Sequence, residues 1–81
     1  MQEDLLVQIE KRMSTFSKSQ KLIANFIINS YEKAAYMTAL KLGNAVNVSE
    51  STVVRFAIEM GFEGYPELQK SLQSLIKNRL T

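Results

Sequence analysis

The side chains able to do chemistry in this chain are few, and the missing ones matter most. With neither histidine nor cysteine, the usual metal ligands and the common acid–base group near neutral pH are absent. Disulfides are ruled out on the same ground, and nothing points to an oxidising compartment. Carboxylates, lysines and hydroxyls remain. Glu50 and Glu59 lie nine residues apart in the sequence on what reads as an exposed helix, which is a poor arrangement for paired acid–base work. No glycine-rich phosphate loop is present, so catalysis, metals and cofactors are not expected.

One stretch asks for a specific explanation: "NVSESTVVRFAIEMGFEGY", residues 47–65. Ser49 suits an N-cap and Gly61 suits a left-handed C-terminal stop. Between them a helix over about 50–60 carries a single arginine. At 100° per residue, Val53, Phe56, Ala57 and Met60 fall within about 100° of arc and face a core. Ser51, Val54, Arg55 and Ile58 occupy the opposite face, flanked by Glu50 and Glu59. Small outward residues let a helix enter a DNA major groove. Arginine can reach guanine O6 and N7 in bidentate fashion, and Val54 or Ile58 could meet a thymine methyl.

The elements that would hold this helix follow from apolar spacing, which is helical almost throughout, with no run alternating as a strand would. A first helix over roughly 4–15 carries Leu5, Leu6, Ile9 and Met13, followed by Phe16. Ser17 and Gln20 have the spacing of a capping box and open a second helix, about 18–29, with Leu22, Ile23, Phe26 and Ile27 as its core stripe. "NSYEKAAYM" reads as a connector with room for one helical turn. Thr38 caps a short third helix, 39–46, which buries Leu42 and Val46. Pro66 suits the start of a fifth helix, about 66–79, where its missing N–H costs nothing. That helix shows Leu68, Leu72, Leu75 and Ile76. The fold expected is an all-α, five-helix bundle.

Helices three and four are joined by only "NVS". So short a joint forces a sharp crossing, the geometry of a helix-turn-helix. Asn47 stands where positive φ is needed, which asparagine tolerates, and Val48 would plug the angle between the helices. In "GFEGY", Phe62 and Tyr65 read as pins holding the loop on the core, with Gly61 and Gly64 making the turns.

Eighty-one residues, 46% of them apolar with one proline and three glycines, make a single folded domain over 1–81. The first dozen residues mix Glu3, Asp4, Glu10, Lys11 and Arg12, unlike a signal peptide. "LIANFII" is far short of a bilayer span. A cytoplasmic setting is expected, with no membrane role. The net charge of +2 is a mild hint, but its distribution says more. Residues 17–37 and 66–81 are each net positive, whereas 38–65 is net negative. Phosphate contacts would therefore come largely from segments flanking the helix pair.

The expected backbone contacts are Lys18, Ser19 and Lys21 at the start of helix two, with Ser49 and Thr52, and with Lys41 and Lys70 as further cations. Because one such unit buries little surface, a homodimer on two-fold half-sites is expected; Val7, off the core-facing side of helix one, is the candidate for pairing. The residues by themselves leave a second reading open. A solvated arginine and an exposed Ile58 would also fit a helical protein–protein interaction module.

A family resemblance bears on that choice. "VSESTVVRF" at 48–56, "MGFEGYPELQKSL" at 60–72 and "FSKSQKLIANFIINSYEKAAYMT" at 16–38 are similar to the N-terminal domain of the RpiR family of bacterial transcriptional regulators. The resemblance covers nearly the whole chain, and its paired "TVVRF" and "GFEGY" blocks are far more specific than a generic helix-turn-helix pattern. It implies an all-helical, homeodomain-like or winged-helix-like domain that binds double-stranded DNA. It also implies a separate C-terminal domain, of sugar-isomerase type, that senses phosphorylated sugars and is absent from these 81 residues. Family members often have alanine at the place of Gly43 and glycine at that of Asn47.

Overall fold

In a computed structural model describing residues 4–79, five α-helices and one 3-10 turn enclose one core. There is no strand among the described residues, so no β-wing flanks the helix pair there. The helices are α1 (Leu5–Arg12), α2 (Lys18–Ala34), α3 (Ala39–Val46), α4 (Glu50–Glu59) and α5 (Tyr65–Arg79), with the 3-10 turn at Met13–Thr15.

Side-chain caps begin the first four. Asp4 accepts from the Val7 amide at 3.0 Å, and Thr38 accepts from Lys41 at 3.1 Å. The expected capping box at Ser17 is complete. Ser17 Oγ accepts from the Gln20 amide at 3.2 Å, and Gln20 Oε1 accepts from the Ser17 amide at 2.7 Å. Each bond satisfies an amide that the helix geometry leaves without a partner.

Two expectations need correction. The second helix does not stop at Asn29. A break at Ser30 (φ −142°, ψ 42°) interrupts it, and a further helical turn carries it on to Ala34. The reason lies across the core. Ala34 and Ala35 are fully buried, and α5 supplies donors to this segment. Gln69 and Gln73 both donate to the Ala35 carbonyl, at 3.1 and 3.0 Å. The Tyr65 hydroxyl donates to the Met37 carbonyl at 2.6 Å and approaches that of Ala34 at 3.4 Å. These bonds, together with the methyl-sized side chains, hold the connector against the bundle.

The second correction is Leu22, which is 43% exposed and is not part of the core. Ile23, Ala24 and Ile27 form the buried stripe of α2. Leu22 lies about 100° round from Ile23, outside the arc that the other helices cover.

α1 contributes Leu5, Leu6 and Ile9 to the interior, α4 contributes Val53, Phe56 and Ala57, and α5 contributes Leu68, Leu72 and Leu75. Phe16 leans on Phe56 with ring centroids 5.4 Å apart and planes tilted by 60°, a favoured aromatic arrangement.

Candidate nucleic-acid interface

The joint between α3 and α4 is three residues long, 47–49. Asn47 takes the left-handed conformation (φ 65°, ψ 41°), the one described non-glycine residue with positive φ. Its amide and that of Val48 both donate to the Gly43 carbonyl, the latter at 2.9 Å. The orphan carbonyl at the end of α3 is thereby satisfied in the manner of a Schellman motif. The chain folds back so tightly that a Cβ on Gly43 would stand 2.7 Å from the Val48 carbonyl oxygen. Gly43 therefore permits the close approach of α3 to the turn, and Val48 is half-buried against the core as the wedge.

Ser49 then starts α4, its hydroxyl accepting from the Thr52 amide at 3.2 Å. The same oxygen lies 2.7 Å from Thr52 Oγ1 and 3.1 Å from Ser51 Oγ, so three hydroxyls cluster at the positive end of the helix dipole. At the far end the Phe62 amide donates to Ala57 and that of Gly61 to Ile58. Gly61 sits at φ 98°, so a second Schellman stop closes the helix.

Two further bonds hold this end from outside the helix pair. Arg12 of α1 donates to the Glu59 carbonyl at 2.8 Å. Gln20 of α2 donates to the Glu59 carboxylate at 2.9 Å. Sequence reasoning missed Arg12. An arginine near a helix end carries no local sign of which carbonyl it will reach 47 residues away.

Of the residues expected to meet bases, Ser51, Arg55 and Ile58 are exposed, and Ile58 keeps 52% of its surface open. Val54 is half-buried and packed on the core, so it offers only part of its side chain outward.

Among the expected phosphate contacts, Lys18, Ser19 and Lys21 stand exposed on the first turn of α2. Their neighbour Gln20 binds Glu59, so this turn lies beside the end of α4. Lys41 and Ser49 are exposed, and Thr52 is half-buried in the hydroxyl cluster. Lys70 is exposed on α5 but shares a shallow hollow with Glu63 and Glu67, whose charges offset its own.

Tyr65 and Phe62 have the anchoring roles expected of them. Tyr65 is 5% exposed, and desolvation raises its hydroxyl pKa from 10.0 to about 12. The Glu59 carboxylate is engaged by Gln20. No cluster of metal-ligating side chains occurs among the described residues, and no helix there is long and apolar enough to cross a membrane.

Comparison with known proteins agrees with this arrangement. A family model described as "Helix-turn-helix domain, rpiR family" matches residues 3–79. The HTH-type transcriptional regulator HexR of Pseudomonas aeruginosa is 38% identical over 74 residues, covering 90% of this chain and 26% of that protein. The uncharacterised HTH-type transcriptional regulator YfhH of Escherichia coli is 28% identical, covering 91% and 26%. Among solved structures, Vibrio vulnificus NanR complexed with ManNAc-6P superposes with a TM-score of 0.89 at 28% identity, covering 95% of this chain and 30% of that one. The chain thus spans about a quarter of the length of the curated relatives it matches. It belongs to the rpiR family of helix-turn-helix transcriptional regulators, as its DNA-binding domain.

Proposed function

We propose that α4 enters the major groove of duplex DNA and reads bases in a sequence-specific way. Arg55 takes guanine, Ser51 bonds a neighbouring edge, and Ile58 with the open part of Val54 meets thymine methyls. Lys18, Ser19 and Lys21 hold a phosphate at the first turn of α2, where side-chain charge and helix dipole have the same sign. Ser49, Thr52 and Lys41 give further backbone contacts. Lys70 is the weakest of the set, given Glu63 and Glu67 beside it.

The observation carrying this reading is the two-sidedness of α4. Val53, Phe56 and Ala57 are buried on one side. The other presents an exposed arginine between small and aliphatic residues, on a helix held at both ends. A protein-interaction module would account for Ile58 but not for the cationic turn of α2 beside α4.

In the cell the domain acts as part of a longer cytoplasmic regulator, pairing as a homodimer on two-fold half-sites, without catalytic activity of its own. NanR was solved with ManNAc-6P, and by analogy the whole regulator responds to a phosphorylated sugar through a C-terminal sugar-isomerase-type domain. On this reading the regulator controls sugar or phosphosugar metabolism.

Selection from random duplexes followed by titration of the selected site tests the base-reading role. Arg55→Ala is expected to lose about 1–3 kcal/mol of discrimination at one base pair per half-site while non-specific binding survives. Equal loss on selected and random duplexes would reassign Arg55 to the phosphate backbone.

A further inference from the structure

The end of α4 has the wrong charge for a helix C-terminus. Its last turn carries no basic residue and ends on Glu59, an anion at the negative end of the dipole. The missing cation comes from α1. Arg12 Nη1 donates to the Glu59 carbonyl at 2.8 Å and lies 3.7 Å from Met60 Sδ. The guanidinium carbon is 5.9 Å from the centre of the Phe16 ring, and Phe16 itself packs on Phe56 of α4. A second tie runs in parallel. Gln20 accepts from the Ser17 amide through Oε1 at 2.7 Å and donates through Nε2 to Glu59 at 2.9 Å. One side chain therefore links the cap of α2 to the last residue of α4.

Both ties end on Glu59 of α4, the helix that presents Arg55. Gln20 comes from the turn that presents Lys18, Ser19 and Lys21, and Arg12 comes from the end of α1, which the short Met13–Thr15 turn joins to it. A bidentate contact to a base tolerates little displacement, so the distance and tilt between the turn of α2 and α4 decide whether Arg55 reaches its base once the phosphate is held.

We infer that Arg12 is a positioning residue for DNA recognition: from α1 it clamps the C-terminal end of α4 and, with Gln20, sets the register between the phosphate-holding turn of α2 and the base-reading Arg55. The inference rests on the DNA-reading role of α4 proposed above. Arg12 touches no DNA in this account. Its Nη1 is engaged by the Glu59 carbonyl and its guanidinium lies against Phe16, so its removal is expected to change discrimination more than the electrostatic part of binding.

The test measures binding of the 81-residue chain to a duplex selected by the wild type and to a scrambled duplex, across a salt series. Arg12→Met keeps the aliphatic stem and removes the donor. The ratio of selected to scrambled affinity is expected to fall about tenfold, the low end of what one bidentate base contact supplies, with the salt slope unchanged. Arg12→Lys, which can still donate to the Glu59 carbonyl, recovers part of the ratio. Gln73→Ala, which loses a bond to the Ala35 carbonyl on the α5 side, lowers the melting temperature but keeps the ratio. That contrast separates positioning from general stability. Should Arg12→Met fail to fold, Gln20→Ala decides the matter, with an expected loss of a few-fold at unchanged slope.

An unchanged ratio in a folded Arg12→Met or Gln20→Ala chain overturns the clamp and leaves the DNA reading intact. A salt slope flattened by about one unit, with equal loss on both duplexes, makes Arg12 a phosphate contact and also overturns it. A wild-type chain that does not distinguish the duplexes overturns the DNA reading itself, and that failure appears in the control arm.

Discussion

Gly43→Ala sets a local preference against a tertiary contact, and the structure says which should win. Alanine is favoured over glycine within a helix by about 0.5–1 kcal/mol. On propensity alone the substitution stabilises α3. The added Cβ, however, would stand 2.7 Å from the Val48 carbonyl oxygen and 3.4 Å from two backbone atoms of Ser49. Van der Waals contact requires the turn to retreat by about half an ångström or more. No flexible side chain can absorb that movement, because the opposing atoms are backbone. Val48 is moreover tied to Gly43 by the 2.9 Å bond from its amide.

Overpacking of this kind costs about 1–3 kcal/mol. Set against the propensity gain, the expected net loss is up to about 2.5 kcal/mol and centred on about 1 kcal/mol, with about 4–8 °C in Tm for each kcal/mol in a domain of this size. Thermal and urea unfolding followed by circular dichroism measure it. Ala45→Gly, at an exposed position of the same helix, calibrates the propensity term in place. Adding Asn47→Gly to Gly43→Ala should recover part of the loss, since glycine at the turn lets the carbonyl withdraw more freely. A rise in Tm for Gly43→Ala alone would show that the turn yields at no cost, and the reasoning from close approach would be wrong.

Three other outcomes are expected. Lys18→Ala should flatten the salt dependence of DNA binding by about one unit, and an unchanged slope would remove the first turn of α2 from the phosphate contacts. Tyr65 keeps its proton in the folded state up to about pH 12, whereas the unfolded chain loses it near 10.0. Stability should therefore be unaffected by this group below pH 10 and fall by about 2–3 kcal/mol as pH rises through that window. Tyr65→Phe should abolish this alkaline loss and cost about 1–2 kcal/mol at neutral pH by leaving the Met37 carbonyl without its donor, as read from urea unfolding across pH. Calorimetry with a panel of sugar phosphates should show no saturable binding to this domain. The hollow of about 440 Å³ between α1 and α5 is lined by residues such as Asp4, Gln8, Ser71 and Asn78, with no cationic side chain among the described residues of its lining. A micromolar response would place effector sensing in the helical domain.

What the sequence determined by itself was whatever depends on neighbours within a few residues. The hydroxyl caps at Ser17, Thr38 and Ser49, the left-handed turn at Asn47, the stop at Gly61 and the boundaries of α3 all rest on bonds between residues three to five apart, in which residue type and spacing are the whole of the geometry. The exposed side of α4 at Ser51, Arg55 and Ile58 was legible too, because 100° per residue fixes which positions share a side once a core side is recognised. Tertiary structure decided the rest. Leu22 has the composition of a core residue, but its exposure depends on how far around α2 the other helices reach. Val54 is half-covered because the core beside α4 is wider than the 100° that its own sequence marks. The path of residues 30–37 depends on donors from Tyr65, Gln69 and Gln73 on α5. The fixing of Glu59 depends on Arg12 and Gln20. These partners lie 28 to 47 residues apart in sequence, where no periodicity or cap rule relates one position to another. A long polar side chain finds its acceptor only once the helices carrying both have docked, and docking is set by the summed burial of the whole core rather than by any local signal.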